Sequence, residues 1–60
     1  MSEDLRQKVV DVLKSEPKGA APLLVSKKIG LNLMETRKIL ETLVEEGLVE
    51  KKGRNYKLKA

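Results

Sequence analysis

Three residues between two helical segments limit the possible folds of this chain more than any other feature of its sequence. Gly30, Leu31 and Asn32 separate a segment that ends at Ile29 from one that starts at Leu33. Glycine readily takes the left-handed conformation that ends a helix, and an asparagine side chain can cap the start of the next helix. A connection this short leaves no room for a gradual turn. It therefore predicts a sharp corner between the two helices.

Two helices are predicted before this corner. The first spans about Ser2–Lys14, with Ser2 as its N-cap and Pro17 in the loop that follows. The second spans about Pro22–Ile29, because proline is tolerated in the first turn of a helix. Residues 20–21 can add a brief strand between these helices.

The third helix has clear signals at both ends. Asn32 and Glu35 have the spacing of a capping box, in which each side chain bonds to the backbone N–H of the other residue. Gly47 is placed to end the helix, and Leu48 occupies the position that packs on Leu43 in a Schellman ending. The sequence therefore predicts a helix over Leu33–Glu46.

Beyond the third helix, the hydrophobic pattern changes to the period of two that is typical of β-strands. Two short strands are predicted, over about Leu48–Lys52 and Asn55–Lys59, joined by a turn at residues 53–55. In the second strand, Tyr56 and Leu58 alternate with lysines. One face of this strand is therefore expected to be apolar and the other cationic.

The predicted elements are expected to share one small core. Sixty residues make a single domain over residues 1–60, and a chain this short is stable only if its packing is efficient. The residues expected in the core are Leu5, Val9, Val12, Leu24, Ile29, Leu40, Leu43 and Leu58. The inward arc of the third helix also includes Leu33, Thr36, Ile39 and Val44. The predicted fold class is mainly α with a C-terminal β-hairpin.

The positive charge of the chain is concentrated in this hairpin. Residues 51–60 contain five Lys and Arg and no acid, whereas residues 1–50 contain eight Lys and Arg against nine Asp and Glu. The net charge of +4 therefore comes from the hairpin. A basic hairpin attached to a nearly neutral remainder of the chain indicates a surface that binds a polyanion.

Composition argues against several other functions. The chain has no Cys and no His, and it has no glycine-rich phosphate loop, so neither catalysis nor a cofactor is expected. No apolar run approaches the ~20 residues that span a bilayer, and the acidic N-terminus is unlike a signal peptide. A cytoplasmic protein without membrane contact is therefore expected. Abundant Lys and Glu with no Cys would suit a thermophile.

Three helices followed by a basic hairpin is the element order of a winged helix-turn-helix domain, in which the hairpin is the wing. The residues that carry the resemblance are Ile29-Gly30-Leu31-Asn32, Leu40, Leu43 and Glu46-Gly47-Leu48-Val49. From about Leu5 to Leu58, the chain resembles the DNA-binding cores of the MarR-like and ArsR-like regulators of bacteria and archaea. The resemblance implies a small transcription regulator whose third helix enters the major groove of double-stranded DNA. Its wing would contact the backbone or the minor groove.

Eight residues are candidates for contacting DNA. They are Lys27, Lys28, Met34, Arg37, Lys38, Lys51, Lys52 and Arg54. Arg37 can donate two hydrogen bonds to guanine or make a charged contact to phosphate, and Met34 can touch a thymine methyl group. The lysines and Arg54 are expected to contact phosphate, and the release of counterions would supply most of the affinity.

Several of these residues also have plainer interpretations. Lys27 and Lys28 can form a solvated helix face, and the lysines of the wing can protect an exposed β edge from aggregation. Met34 can pack at the helix end or contact a protein partner. Tyr56 is expected in the core of the wing rather than as a platform for base stacking, because its neighbours alternate as a strand should.

The second half of the third helix favours a different partner. Glu41, Glu45 and Glu46 would repel phosphates, and Leu33 and Met34 form an apolar corner. The alternative function is therefore a winged helix that makes protein–protein contacts within a larger assembly. A homodimer or a protein partner is also expected for DNA binding, because one copy of so small a module should bind weakly.

Overall fold

The computed structural model describes residues 3–59 and contains three helices followed by a two-stranded antiparallel hairpin. The elements are α1 (Glu3–Lys14), α2 (Pro22–Ile29), α3 (Leu33–Glu45), β1 (Val49–Lys52) and β2 (Asn55–Leu58). This order confirms the predicted fold class, while the predicted N-cap at Ser2 lies outside the described residues. Within residues 3–59, none of the helices has the length and apolar content needed to cross a membrane.

The corner between α2 and α3 is built by the residues that predicted it. Gly30 has φ 71° and ψ 31°, and its N–H donates to the carbonyl of Ser26. The Asn32 side-chain oxygen accepts from the Glu35 N–H at 2.8 Å. The Glu35 carboxylate does not return to the Asn32 N–H; it lies 3.9 Å from the Nζ of Lys38. One half of the predicted capping box is therefore formed.

The end of α3 is a Schellman motif. Gly47 has φ 81°, its N–H donates to the carbonyl of Val44 at 3.0 Å, and the Leu48 N–H donates to the carbonyl of Leu43 at 3.1 Å. These are the two hydrogen bonds that define the motif. The predicted ending is thus confirmed in the backbone, and it leads the chain directly into β1.

The hairpin is fixed to the helices through Ala20. This residue exchanges two backbone hydrogen bonds with Tyr56 of β2, both at 2.9 Å, so the predicted strand between α1 and α2 is present as a single bridge. Gly19, with φ 97°, allows this approach. A Cβ on Gly19 would lie 3.1 Å from the Tyr56 carbonyl oxygen and 3.2 Å from the Cβ of Lys57.

The register of the hairpin divides its side chains between two faces. The paired residues are Val49 with Leu58, Glu50 with Lys57, Lys51 with Tyr56, and Lys52 with Asn55. Because side chains alternate along a strand, Val49, Lys51, Tyr56 and Leu58 form one face, which we call the inner wing face. Glu50, Lys52, Asn55 and Lys57 form the outer wing face. The predicted alternation in β2 is therefore confirmed, and Lys51 lies on the same face as Tyr56.

The core lies where the three helices meet the inner wing face. Its buried hydrophobic residues are Val9, Leu13, Ala20, Val25, Ile39, Leu40, Leu43, Val49 and Tyr56. Of the predicted core, Val9, Leu40 and Leu43 are buried, and Leu5, Val12, Ile29 and Leu58 are partly buried against them. On α3, Thr36 and Ile39 are also buried, and Val44 is partly buried.

The predictions that Leu24 and Leu33 belong to the core were wrong, because each side chain is 40% exposed. The inward face of α2 is centred on Val25 and Ser26, and the Ser26 hydroxyl donates to the carbonyl of Leu23 at 2.8 Å. Leu24 lies about 100° around the helix from Val25 and is left at the edge. Leu33, the first residue of α3, faces an open cleft instead of the core.

Candidate nucleic-acid interface

An open cleft of about 310 Å³ lies between the starts of α2 and α3 and the wing. We call it the wing cleft; it is lined by Ala21, Pro22, Leu23, Leu33, Arg37, Lys51, Gly53, Arg54 and Tyr56. Its lining combines an apolar wall from the two helix starts with three cationic side chains, and none of these nine residues is acidic. Such a lining suits an anionic group that is attached to a less polar body.

The three cations of the wing cleft come from separate elements. Arg37 lies on the exposed side of α3, and Arg54 lies in the turn between the strands. Lys51 is on the inner wing face, directly opposite Tyr56, and its Nζ lies 5.6 Å from the centroid of the Tyr56 ring. This distance is within the range of a cation–π contact. The fold therefore brings three positive charges to one concave surface.

The apolar wall of the wing cleft consists of side chains that the core leaves exposed. Leu23 is 53% exposed and Leu33 is 40% exposed, and Pro22 lies beside them in the first turn of α2. Large apolar side chains that stay exposed next to a concave surface often mark a binding site. Here they lie next to Arg37 and Arg54, so a ligand in the cleft would meet apolar and cationic groups together.

Tyr56 connects the wing cleft to the exposed side of α3. Its ring is buried, and its hydroxyl donates a hydrogen bond to the Oε2 of Glu41. Burial of the phenol, followed by the hydrogen bond and negative charge of Glu41, raises the pKa of Tyr56 to about 12. The positive charge of Arg37 opposes this rise. Arg37, Glu41 and Tyr56 therefore form one electrostatic cluster at the cleft.

The acidic second half of α3 is partly neutralised by protein contacts. Glu46, the C-cap residue of the helix, forms an ion pair with Arg6 of α1. Glu41 accepts from the Tyr56 hydroxyl, whereas Glu45 is exposed and forms no ion pair with any residue of the described chain. The repulsion of phosphates expected from these three acids is therefore reduced at Glu46 and remains at Glu41 and Glu45.

The predicted lysines of α2 lie outside the wing cleft. Lys27 and Lys28 are both exposed in the last turn of the helix. The Nζ of Lys28 lies 3.3 Å from the Oε2 of Glu16, which comes from the loop after α1. A contact of this pair with phosphate stays a prediction, and the ion pair is consistent with the plainer interpretation of a solvated helix face.

The other three predicted residues also lie outside the lining of the cleft. Met34 is 72% exposed next to Leu33, and Lys38 is paired with Glu35 as described above. The Nζ of Lys52 lies 3.4 Å from the Oε1 of Glu50 on the outer wing face. The structure therefore unites Arg37, Lys51 and Arg54 and separates them from the remaining five candidates.

Sequence reasoning missed the apolar wall of the cleft. Pro22 and Leu23 are not among the predicted site residues, Leu33 is predicted only as part of an apolar corner for a protein partner, and Tyr56 is predicted in the wing core. One signal was available: Leu23, Leu24 and Val25 are consecutive, and three neighbouring residues of a helix cannot all face inward. At least one of these three residues had to be exposed at the start of α2.

Comparison with solved structures identifies a similar domain. The Zalpha domain of ORF112 from Cyprinid Herpesvirus3, whose structure describes its binding mode to Z-DNA, superposes with a TM-score of 0.91. The alignment covers 98% of each chain at 23% sequence identity. No protein-family model matches this chain, and neither does any curated protein sequence.

The likeness to this Zalpha domain establishes the fold of the chain. It supports the broader part of the resemblance inferred from the sequence, and it gives no support to the narrower likeness to MarR-like and ArsR-like regulators. The protein therefore has a winged helix fold, with three helices and a C-terminal antiparallel hairpin as the wing.

Proposed function

We propose that this protein binds double-stranded DNA through α3 and the wing, with the wing cleft at the centre of the interface. The observation that carries the proposal is the convergence of Arg37, Lys51 and Arg54 on a cleft without acidic lining. The two guanidinium groups can bind phosphate oxygens or a guanine edge with paired hydrogen bonds. The ammonium group of Lys51 can act as a compact charge against a phosphate.

The apolar wall of the cleft is also suited to a DNA backbone. A deoxyribose presents mostly carbon atoms beside each charged phosphate. With phosphates held by Lys51 and Arg54, the sugars would pack against Leu23 and Leu33. Release of counterions from the phosphates would supply most of the affinity, and the apolar contacts would fix the position of the duplex.

The Zalpha likeness supports the same proposal, because that domain presents a winged helix fold to Z-DNA. Our proposal for this chain rests on the chemistry of its own cleft. The experiment below therefore uses both a right-handed and a left-handed duplex. We further propose that this DNA binding serves transcription regulation in the cytoplasm. We propose two copies at one site, since a single small module buries too little surface for tight binding.

The proposed interface is tested by two double variants that remove equal charge from the wing. Lys51→Gln with Arg54→Gln removes two cations of the wing cleft, and Lys57→Gln with Lys59→Gln removes two cations of the C-terminal strand region that do not line the cleft. Affinity for duplex DNA is measured over a range of salt concentrations. Affinity falls as salt rises, and each phosphate contact makes this fall steeper. If each cleft cation contacts a phosphate, the first variant should make the slope of log affinity against log salt less steep by about 1.8.

The Lys57 and Lys59 variant is the matched control and should change the slope by much less than the cleft variant. Equal changes in the two variants would show that the wing acts only through its net charge and would contradict the proposed interface. Two probes are used: a random-sequence duplex in the right-handed form and an alternating dC-dG duplex held in the left-handed form. Binding to either one supports the proposal, and the stronger of the two gives the preferred handedness.

A second candidate function is protein–protein contact through the apolar corner at the start of α3. Met34 is 72% exposed next to Leu33 in the chain, and Leu33 lines the wing cleft together with the exposed Leu23. This candidate predicts no measurable affinity for either duplex at low salt. That result would overturn DNA binding and leave the apolar corner as the functional surface.

A further inference from the structure

Glu41 is an acid at a defined position on the surface proposed to meet DNA. It is exposed on α3, and its Oε2 accepts a hydrogen bond from the Tyr56 hydroxyl. Tyr56 is itself held by a buried ring and by two backbone hydrogen bonds with Ala20. The Oε1 of Glu41 has no partner among residues 3–59. The fold thus presents one free acceptor oxygen in a fixed place.

Glu41 lies close to Arg37, a donor of the wing cleft. The two residues are four positions apart on α3 and therefore share one side of the helix, about 6 Å apart along its axis. Successive base pairs are stacked about 3.4 Å apart. A helix that lies along the groove can therefore place Arg37 and Glu41 against bases that are one or two steps apart.

A carboxylate at this position interacts differently with the phosphate backbone and with the bases of a DNA duplex. It repels the phosphates of every sequence equally, so it weakens binding that depends on the backbone alone. It can accept a hydrogen bond from a base amino group, and a Glu typically accepts from the N4 amino group of cytosine. A surface that only coated DNA would gain from a neutral or cationic residue here.

We propose that Glu41 is a specificity-determining residue of the DNA interface, which rests on the proposed function. Its free oxygen accepts from the N4 amino group of a cytosine, while Arg37 donates to the O6 and N7 of a guanine one or two base steps away. Tyr56 is the positioning residue, because its hydroxyl holds the Glu41 carboxylate. The preferred site therefore contains two G·C pairs within two steps of each other.

The test is selection of binding sites from a random duplex library by the unmodified protein and by Glu41→Gln. Glutamine keeps an acceptor for the Tyr56 hydroxyl, but its amide matches the N6 and N7 of adenine. The unmodified protein should select a cytosine within two steps of a guanine. In Glu41→Gln, the preference for cytosine at that position should fall at least about fivefold, with adenine gaining, while the guanine preference remains.

Glu45→Gln is the matched control, because it removes the same charge one turn further along α3, and the Tyr56 hydroxyl donates to Glu41 and not to Glu45. It should raise affinity for all sequences alike and leave the base preference unchanged. The same uniform change in Glu41→Gln, or no base preference in the unmodified protein, would overturn the proposal.

A second variant covers the possibility that Glu41→Gln disturbs the fold. Glu41→Asp keeps the charge but shortens the side chain, so it should lose the cytosine preference with little change in affinity for random duplex. Retention of the full preference would contradict the role of Glu41. If the unmodified protein binds either duplex probe but Glu41 has no effect on base preference, this inference fails and the proposed function stands. If it binds neither probe, both fail.

Discussion

Tyr56 connects the core of this chain to its candidate interface. It is the only aromatic residue in the sequence, and its ring is buried. Its backbone bonds to Ala20, its ring lies below Lys51, and its hydroxyl donates to Glu41. A change at this residue would therefore affect packing, the attachment of the wing and the charge cluster of the cleft together.

The ionisation of Tyr56 can be observed directly. Because the chain has no other aromatic side chain, absorbance of the phenolate during a pH titration reports on this residue alone. We expect a midpoint near pH 12 in the folded protein, since burial and Glu41 raise the pKa of Tyr56 to about 12 from its ordinary value of 10.0. In Glu41→Gln the midpoint should fall but stay above pH 10, because the negative charge is removed while burial, the largest cause of the raised pKa, remains.

This shift also has a consequence for stability. A pKa that is higher in the folded than in the unfolded state stabilises the fold fully below pH 10, and this stabilisation is lost as the pH rises from 10 to about 12. Tyr56→Phe should lack the loss of stability that the phenol causes between pH 10 and about 12. The difference between the two proteins therefore separates the contribution of Tyr56 from that of the lysines, which titrate in the same range. A phenolate midpoint near pH 10 in the folded protein would show that Tyr56 is neither buried nor bonded to Glu41.

At the level of elements, the loop between α1 and α2 controls where the wing sits. Gly19 lies at φ 97° against β2, where a Cβ would meet the Tyr56 carbonyl oxygen. Gly19→Ala should therefore lower the free energy of unfolding through backbone strain, about 1–2 kcal/mol, and further through the close contact. Gly30→Ala provides the comparison, because Gly30 also has positive φ but its Cβ would meet nothing within 4 Å.

Denaturant unfolding of the two glycine variants measures this difference. Gly19→Ala should be the less stable of the two, and it should also weaken DNA binding, because β2 and the cleft residues it carries would shift. Equal stability of the two variants would show that the loop and β2 can separate without cost. In that case the position of the wing would depend on the core contacts of Val49 and Tyr56 alone.

The elements were predictable because their signals are local. Gly30, Asn32 and Gly47 act on the backbone within a few residues of their own positions, so the corner and the end of α3 could be read from the sequence. The same holds for the alternation of Tyr56 and Leu58 with lysines. A local pattern of this kind needs no knowledge of what packs against it.

The parts that sequence did not predict depend on contacts between distant residues. Alternation along β1 places Lys51 on the same side as Val49, but only the pairing register brings Lys51 opposite Tyr56. Glu41 meets Tyr56 fifteen residues away, and Arg6 meets Glu46 forty residues away. Helical spacing gives the side on which each acid lies, but it does not give the partner that the acid finds there.

In the molecule as a whole, one set of packing contacts determines both the core and the candidate interface. Val49 and Tyr56 are buried against the helices, and the same strands carry Lys51 and the turn that carries Arg54. The wing is therefore fixed relative to α3 before any ligand binds. An interface that is already arranged in the free protein loses little entropy on binding.

We expect the wing cleft and the exposed side of α3 to be the surface that contacts DNA. The most direct measurement is an NMR titration of the isotope-labelled protein with duplex DNA, followed through the backbone amide signals and the side-chain signals of Arg37 and Arg54. We predict that the shift changes concentrate at the start of α3 and in the turn between β1 and β2. Changes confined to α1 and the Arg6–Glu46 end of α3, with Arg37 and Arg54 unaffected, would contradict this account.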